Sequence, residues 1–227
     1  IWGGRDDDLI YGDTGNDRLY GEAGNDRLYG GGGNDSVRGG GGRDTAYGGT
    51  GNDTIYGESG NDRLYGEGDA DWLYGGSGND YLSGGSSHDR LFGQSGADTL
   101  TGGSGNDTLN GGSGSDRMTG GSGLDVFVFN TTLGSTNIDR ITDFNPVDDT
   151  IHLDDSVFSG LSLGALSASA FVANTSGQAT SASHRIIYET DTGNLYYDSN
   201  GSAAGGRVQF ATLAPGLALT AADFFVI

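Results

Sequence analysis

The chain of 227 residues has no cysteine, no lysine, two prolines and one methionine. Without cysteine there is neither a disulfide framework nor a thiolate metal site. Without lysine, 11 arginines stand alone against 31 acids, for a formal net charge of −20. Such a balance disfavours nucleic acid and anionic membrane surfaces and favours cations. No segment approaches the roughly 18 apolar residues of a membrane span, so membrane insertion is not expected. Catalytic signatures are missing too: there is no HExxH, no GxSxG and no phosphate-binding loop, and His88, His152 and His184 stand apart. The acid pairs Asp148–Asp149 and Asp154–Asp155 read as solvated turn acids rather than a glycosidase pair. No enzyme is expected here; any catalysis would lie in an N-terminal domain outside this chain. The chain opens at Ile1 in mid-pattern, with neither Met nor a signal peptide, and reads as the C-terminal piece of something longer.

What the chain has in excess is glycine, 46 residues, and a strict period. From residue 3 to residue 128 an aspartate recurs every ninth position, fourteen times: Asp8, Asp17, Asp26, Asp35, Asp44, Asp53, Asp62, Asp71, Asp80, Asp89, Asp98, Asp107, Asp116 and Asp125. With each unit numbered 1 to 9, the aspartate is position 6. Position 1 is Gly throughout, position 4 is Gly in eleven units, and position 5 is most often Asn. Glycine, and more weakly Asn, admits positive φ, so positions 1 to 6 read as a tight turn. Position 8 is always apolar, from Ile10 to Phe127, between mostly polar or tyrosine neighbours. Polar–apolar–polar over three residues predicts a very short strand with one side chain facing in. A strand this short is stable only when stacked on copies of itself. Two units then form one coil, and fourteen units form seven coils about 34 Å long at about 4.8 Å per strand. A disordered spacer would have no reason to keep an apolar residue at each eighth position.

These units, such as GGTGNDTIY (48–56) and GGSGNDTLN (102–110), resemble the calcium-binding nonapeptide repeats of RTX proteins. The resemblance implies an all-β fold: a right-handed parallel β-roll over 1–128, then a small antiparallel β cap over 129–227. It also implies calcium between stacked turns, up to about twelve ions, each between unit n and unit n+2. Calcium accepts about six to eight oxygens in tolerant geometry. The lower turn would give its aspartate and two carbonyls. Those at position 2 are Gly4, Asp13, Glu22, Gly31, Gly40, Gly49, Glu58, Glu67, Gly76, Gly85, Gln94 and Gly103; those at position 4 are Asp6, Gly15, Gly24, Gly33, Gly42, Gly51, Gly60, Asp69, Gly78, Ser87, Gly96 and Gly105. The upper turn would give its own aspartate and the carbonyls of positions 1 and 3. Position 1 runs through Gly21, Gly30, Gly39, Gly48, Gly57, Gly66, Gly75, Gly84, Gly93, Gly102, Gly111 and Gly120; position 3 through Ala23, Gly32, Gly41, Thr50, Ser59, Gly68, Ser77, Ser86, Ser95, Ser104, Ser113 and Ser122. Asp6, Asp69 and Ser87 replace glycine at position 4, where positive φ costs a side-chain residue something.

The resemblance further implies a chain disordered at cytosolic calcium and folded outside a bacterial cell, exported by type I secretion machinery. The C-terminal segments DRITDF, DDTIHL, TGNLYYDSNG and ADFFVI are similar to RTX C-terminal regions, whose last fifty or so residues act as an uncleaved export signal. RIIYETDTGNLYYD reads as a hairpin turning at 191–194. Asp198, Asn200 and Ser202 match the start of a calcium loop, without the downstream Glu. Tyrosines at position 9 (Tyr11 to Tyr74, with Phe92) beside Arg18, Arg27, Arg63, Arg90 and Trp72 predict aromatic ladders with cation–π support. The same faces offer a platform for a polysaccharide or cell surface as a second function.

Overall fold

The computed structural model describes every residue except Ala204. Its strands lie in two long sheets, one of 11 and one of 12 strands. Over the repeats, successive strands alternate between the sheets. Arg18–Ala23, Ser36–Gly41 and Thr54–Ser59 stack in one; Arg27–Gly32, Thr45–Thr50 and Arg63–Glu67 stack in the other. Pairing is parallel with a shift of one coil, as in Leu19↔Val37 and Leu28↔Ala46. This is the parallel β-roll that the period predicts.

The strands are longer than the predicted three residues. Arg27–Gly32 runs six residues, through positions 7, 8, 9, 1, 2 and 3. Parallel pairing continues into the glycines, with Gly31 opposite Gly49. Alternation therefore points positions 8 and 1 inward, and its burial pattern shows both covered. Position 8 makes two facing columns of apolar side chains, fully buried from Leu19 to Phe127. Position 1 must be glycine for space rather than for φ. A Cβ on Gly57 would fall 2.5 Å from Asp62 Oδ2 and 2.5 Å from the Gly75 carbonyl oxygen.

The asparagines at position 5 do not take positive φ. They form ladders instead: Asn34 N–H donates to Asn16 Oδ1 at 2.8 Å, and Asn52 N–H to Asn34 Oδ1 at 3.0 Å. Where Asn is absent, Asp7 Oδ1 and His88 Nδ1 take the same role toward Asn25 and Asn106. The residue that does leave the usual backbone region is at position 2, where Asp13, Glu22, Glu58, Glu67 and Gln94 have φ of 70–77°. At position 4, Asp69 and Ser87 also have positive φ, as expected, while Asp6 does not.

On the outer faces the tyrosines stack. Tyr11, Tyr29, Tyr47 and Tyr65 have centroids 4.8–4.9 Å apart. Tyr56, Tyr74 and Phe92 continue the other ladder at 4.9 Å. Arg38 sits over Tyr56 at 4.4 Å and Arg90 over Trp72 at 4.8 Å.

The cap does not begin antiparallel. Asp139–Ile141 and Thr150–Leu153 first extend the two sheets in parallel, and Arg207–Thr212 and Phe224–Val226 extend them once more. Only then does pairing reverse: Ile186–Glu189, Asn194–Asp198 and Arg207–Thr212 form an antiparallel meander. The predicted hairpin is there, with Tyr188 opposite Leu195. Local alternation marks a strand but not its partner, so parallel docking was not visible in the sequence. Phe129, Phe158, Tyr197 and Phe210 pack edge-to-face beneath the meander.

Candidate metal centres along the roll edges

Position 6 faces inward with positions 8 and 1, which buries the aspartates. From Asp26 to Asp125 all are at most 3% exposed. Each uses one oxygen to bind the coil before it: Asp26 N–H donates to Asp44 Oδ1 at 2.8 Å, Asp44 N–H to Asp62 Oδ1 at 2.8 Å, and so on along both edges. The other oxygen, Oδ2, is buried without a hydrogen-bond partner in all fourteen repeat aspartates. A buried, unpaired anionic oxygen is costly, and a stack of them is costlier. Burial, above all, drives the carboxyls of Asp44, Asp89 and Asp107 up to about 6 and those of Asp53, Asp62 and Asp98 to about 7. Asp71 reaches about 8, from burial and then the neighbouring Asp53 and Asp89.

Each Oδ2 has carbonyl oxygens of the stacked turns close by: Asp26 Oδ2 and the Gly39 carbonyl oxygen crowd the same side of Gly21, where a Cβ would meet them at 2.2 and 2.5 Å. The carbonyl oxygens of Asp13 and Gly15 point up at the next turn, 2.1 and 2.4 Å from where Cβ atoms of Gly31 and Gly33 would stand. Position-3 carbonyls join neighbouring turns; Gly15 N–H donates to Gly32 O at 2.6 Å. Among the described residues no three His, Cys, Asp or Glu side chains come together as a metal group. The oxygens at hand between two stacked turns are those of two aspartates and of backbone carbonyls. That donor set is all oxygen, which matches a hard divalent ion such as calcium.

The remaining predicted residues have other surroundings. Asp149 is not a solvated turn acid: it is 8% exposed and accepts from Asp125 N–H at 3.1 Å. Asp139, unnoticed in the sequence, accepts from Asp116 N–H at 3.0 Å. Asp198 Oδ1 accepts from Asn200 N–H at 3.1 Å, an Asx turn at the start of the candidate loop. His152 lies against Phe225, and His184 Nδ1 accepts from Thr180 N–H.

A parallel roll whose two edges carry buried, partnerless carboxylate oxygens is a cation-binding repeat module. The family model for the RTX calcium-binding nonapeptide repeat matches four times, over residues 2–37, 38–73, 65–100 and 92–127. The chain belongs to the RTX calcium-binding repeat family. Among solved structures it is similar to the AlgE6R3 subunit of the Azotobacter vinelandii mannuronan C5-epimerase, with 28% identity over 64% of this chain and 78% of that one and a TM-score of 0.42. The AlgE6R2 subunit of the same enzyme is 29% identical over 66% of this chain and 89% of that one, with a TM-score of 0.44. No curated protein matches the chain.

Proposed function

We propose that this chain is a calcium-triggered folding module that supports export by type I secretion machinery and stabilises a larger extracellular protein. The carrying observation is the row of fourteen buried Oδ2 atoms without a partner. In the proposed sites, the aspartates of units n and n+2 hold calcium with carbonyls of positions 2 and 4 below and 1 and 3 above; one site joins Asp13, Gly15 and Asp17 to Gly30, Gly32 and Asp35. The ion supplies positive charge that offsets carboxylate desolvation and repulsion. At an assumed Kd of about 0.1 mM and about 1 mM external calcium, each ion adds about 1.4 kcal/mol. At sub-micromolar calcium the gain vanishes, and a glycine-rich chain of charge −20 has no stable fold.

The C-terminal end fits export of an unfolded chain. Phe224–Val226 lies in a sheet between Thr150–Leu153 and Gly164–Ala165, with Phe224 and Val226 both 1% exposed. Asp223, 6% exposed, closes a capping box with Thr220. A signal at this terminus is readable by the export machinery only before the chain folds. Residues 1–128 serve as the calcium module and 129–227 as cap and signal. The test is far-ultraviolet circular dichroism in EDTA and in millimolar calcium. At pH 8 the module gains its β signal only with calcium; a full β signal in EDTA at that pH refutes the proposal.

A second function is favoured by one feature of the outer faces. Among the described residues the one ion pair is Arg38–Glu58, at 2.9 Å, so Arg27 and Arg63 stand beside the Tyr29–Tyr47–Tyr65 ladder without a carboxylate partner. Stacked rings with free guanidinium groups suit an acidic polysaccharide or a glycan-bearing cell surface. Binding to such a polymer that needs calcium and is lost on replacing Tyr29, Tyr47 and Tyr65 together supports it; equal binding by that variant excludes it.

A further inference from the structure

The ladder does not stop with the last nonapeptide. Strand register pairs Met118 with Ile141 and Phe127 with Ile151, so both isoleucines occupy position 8 and are at most 1% exposed. The residues at position 6 of these two disguised units are Asp139 and Asp149. They lie 23 and 24 residues beyond Asp116 and Asp125, where a repeat would use 18. Five inserted residues (23 − 18) precede Asp139, and one more (24 − 23) precedes Asp149. Both accept the bond that every upper aspartate accepts: Asp116 N–H to Asp139 Oδ1 at 3.0 Å, and Asp125 N–H to Asp149 Oδ1 at 3.1 Å.

The oxygens divide by direction. From Asp26 on, Oδ1 takes an amide of the coil before, while Oδ2 lies beside the position-1 glycine of its own unit, close to the carbonyl of the coil after, as with Asp26 and Gly39. Fourteen Oδ2 atoms are buried and partnerless, from Asp8 to Asp125, yet pairing among repeats alone accounts for only twelve (14 − 2). The two left over belong to Asp116 and Asp125, which are 2% and 1% exposed and face Asp139 and Asp149. The partnerless row then ends. Asp149 Oδ2 accepts from Asn145 N–H at 2.8 Å, and Asp139 Oδ2 is not among the fourteen. The cap also imitates the turn-to-turn bond. Gly114 N–H donates to Asn137 Oδ1 at 2.7 Å, where Gly96 N–H uses the Ser113 carbonyl.

We propose that the cap completes two further calcium sites, Asp116 with Asp139 on one edge and Asp125 with Asp149 on the other. This rests on the calcium reading of the repeat ladder and extends it beyond the repeats. It makes cap docking part of the calcium-linked fold, since the last ion on each edge has one carboxylate from the roll and one from the cap.

The test counts bound calcium per chain by equilibrium dialysis at saturation. The wild-type chain should hold fourteen ions, one for each partnerless oxygen. Asp139→Asn and Asp149→Asn should each bind one fewer and the double variant two fewer, while Asp155→Asn at an exposed cap acid should bind the full number. Asn keeps the Oδ1 acceptor, and circular dichroism checks that each variant holds the roll. A wild-type count of twelve, or a double variant equal to wild type, overturns the proposal and leaves the repeat sites standing. Should the variants not fold, the wild-type count alone decides. No calcium bound by any chain overturns the underlying reading as well.

Discussion

The roll and the cap bury opposite things. Inside the roll two facing columns of apolar residues run between two rows of buried carboxylates, each with one oxygen unpaired. Inside the cap, Phe158 stands edge-on to Tyr197 and Phe210 at 5.3 and 5.1 Å, and two buried acids are well hydrogen-bonded: Asp223 Oδ2 accepts from Thr220 N–H at 2.5 Å, and Asp149 accepts through both oxygens. The cap thus resembles an ordinary hydrophobic core, while the roll, on the proposed reading, is completed by positive charge at its edges. In one chain, the regular part leaves buried carboxylate oxygens unpaired and the irregular part packs aromatic rings edge-on.

That contrast can be broken or sharpened by variants. Phe158→Ala removes the centre of the cap cluster and should cost about 3–5 kcal/mol, read as a fall in thermal midpoint in calcium. Leu64→Ala opens one column in the roll, with an expected cost of about 2–5 kcal/mol. It should also raise the calcium concentration at half-folding, which Phe158→Ala should move less. Gly57→Ala places a Cβ against Asp62 Oδ2 and the Gly75 carbonyl. An overpacking cost of about 1–3 kcal/mol follows, with weaker calcium binding at that turn in titration calorimetry.

Acid should substitute in part for calcium. Burial holds Asp53, Asp62 and Asp98 at about 7 and Asp71 at about 8, against 3.8 for a free carboxyl. The folded roll therefore binds protons that the unfolded chain releases. In EDTA this stabilisation is complete below pH 3.8 and is lost as pH rises through 7 to 8. Circular dichroism in EDTA should show more β-structure at pH 5 than at pH 8; the reverse order contradicts it. The smallest effect belongs to the outer ladder, where Tyr47→Ala should cost less than about 1 kcal/mol in chemical denaturation.

Much of the roll was legible because its period is unbroken. One aspartate, one apolar residue and one invariant glycine per unit specify which side chains face in. The position-5 asparagines lie in the turns as expected but without positive φ, since composition cannot separate a residue that tolerates positive φ from one that bonds the next coil. The ladder places of Asp139 and Asp149 were hidden for a geometric reason: insertions of five residues and one destroy the spacing while strand register preserves the place. The parallel docking of Asp139–Ile141 and Thr150–Leu153 was hidden likewise, because pairing is decided by the roll's open end and not by the segments themselves.

The central claim is that the roll is held by cations at its carboxylate edges, and amide hydrogen exchange resolved along the chain tests it most directly. In calcium, the amides of Asp44, Asp62 and Asp80, each bonded to the next aspartate, should be strongly protected. In EDTA at neutral pH that protection should collapse through the repeats, with less loss in the cap meander around Ile187 and Tyr196. Repeat amides that stay as protected in EDTA as in calcium would contradict the account.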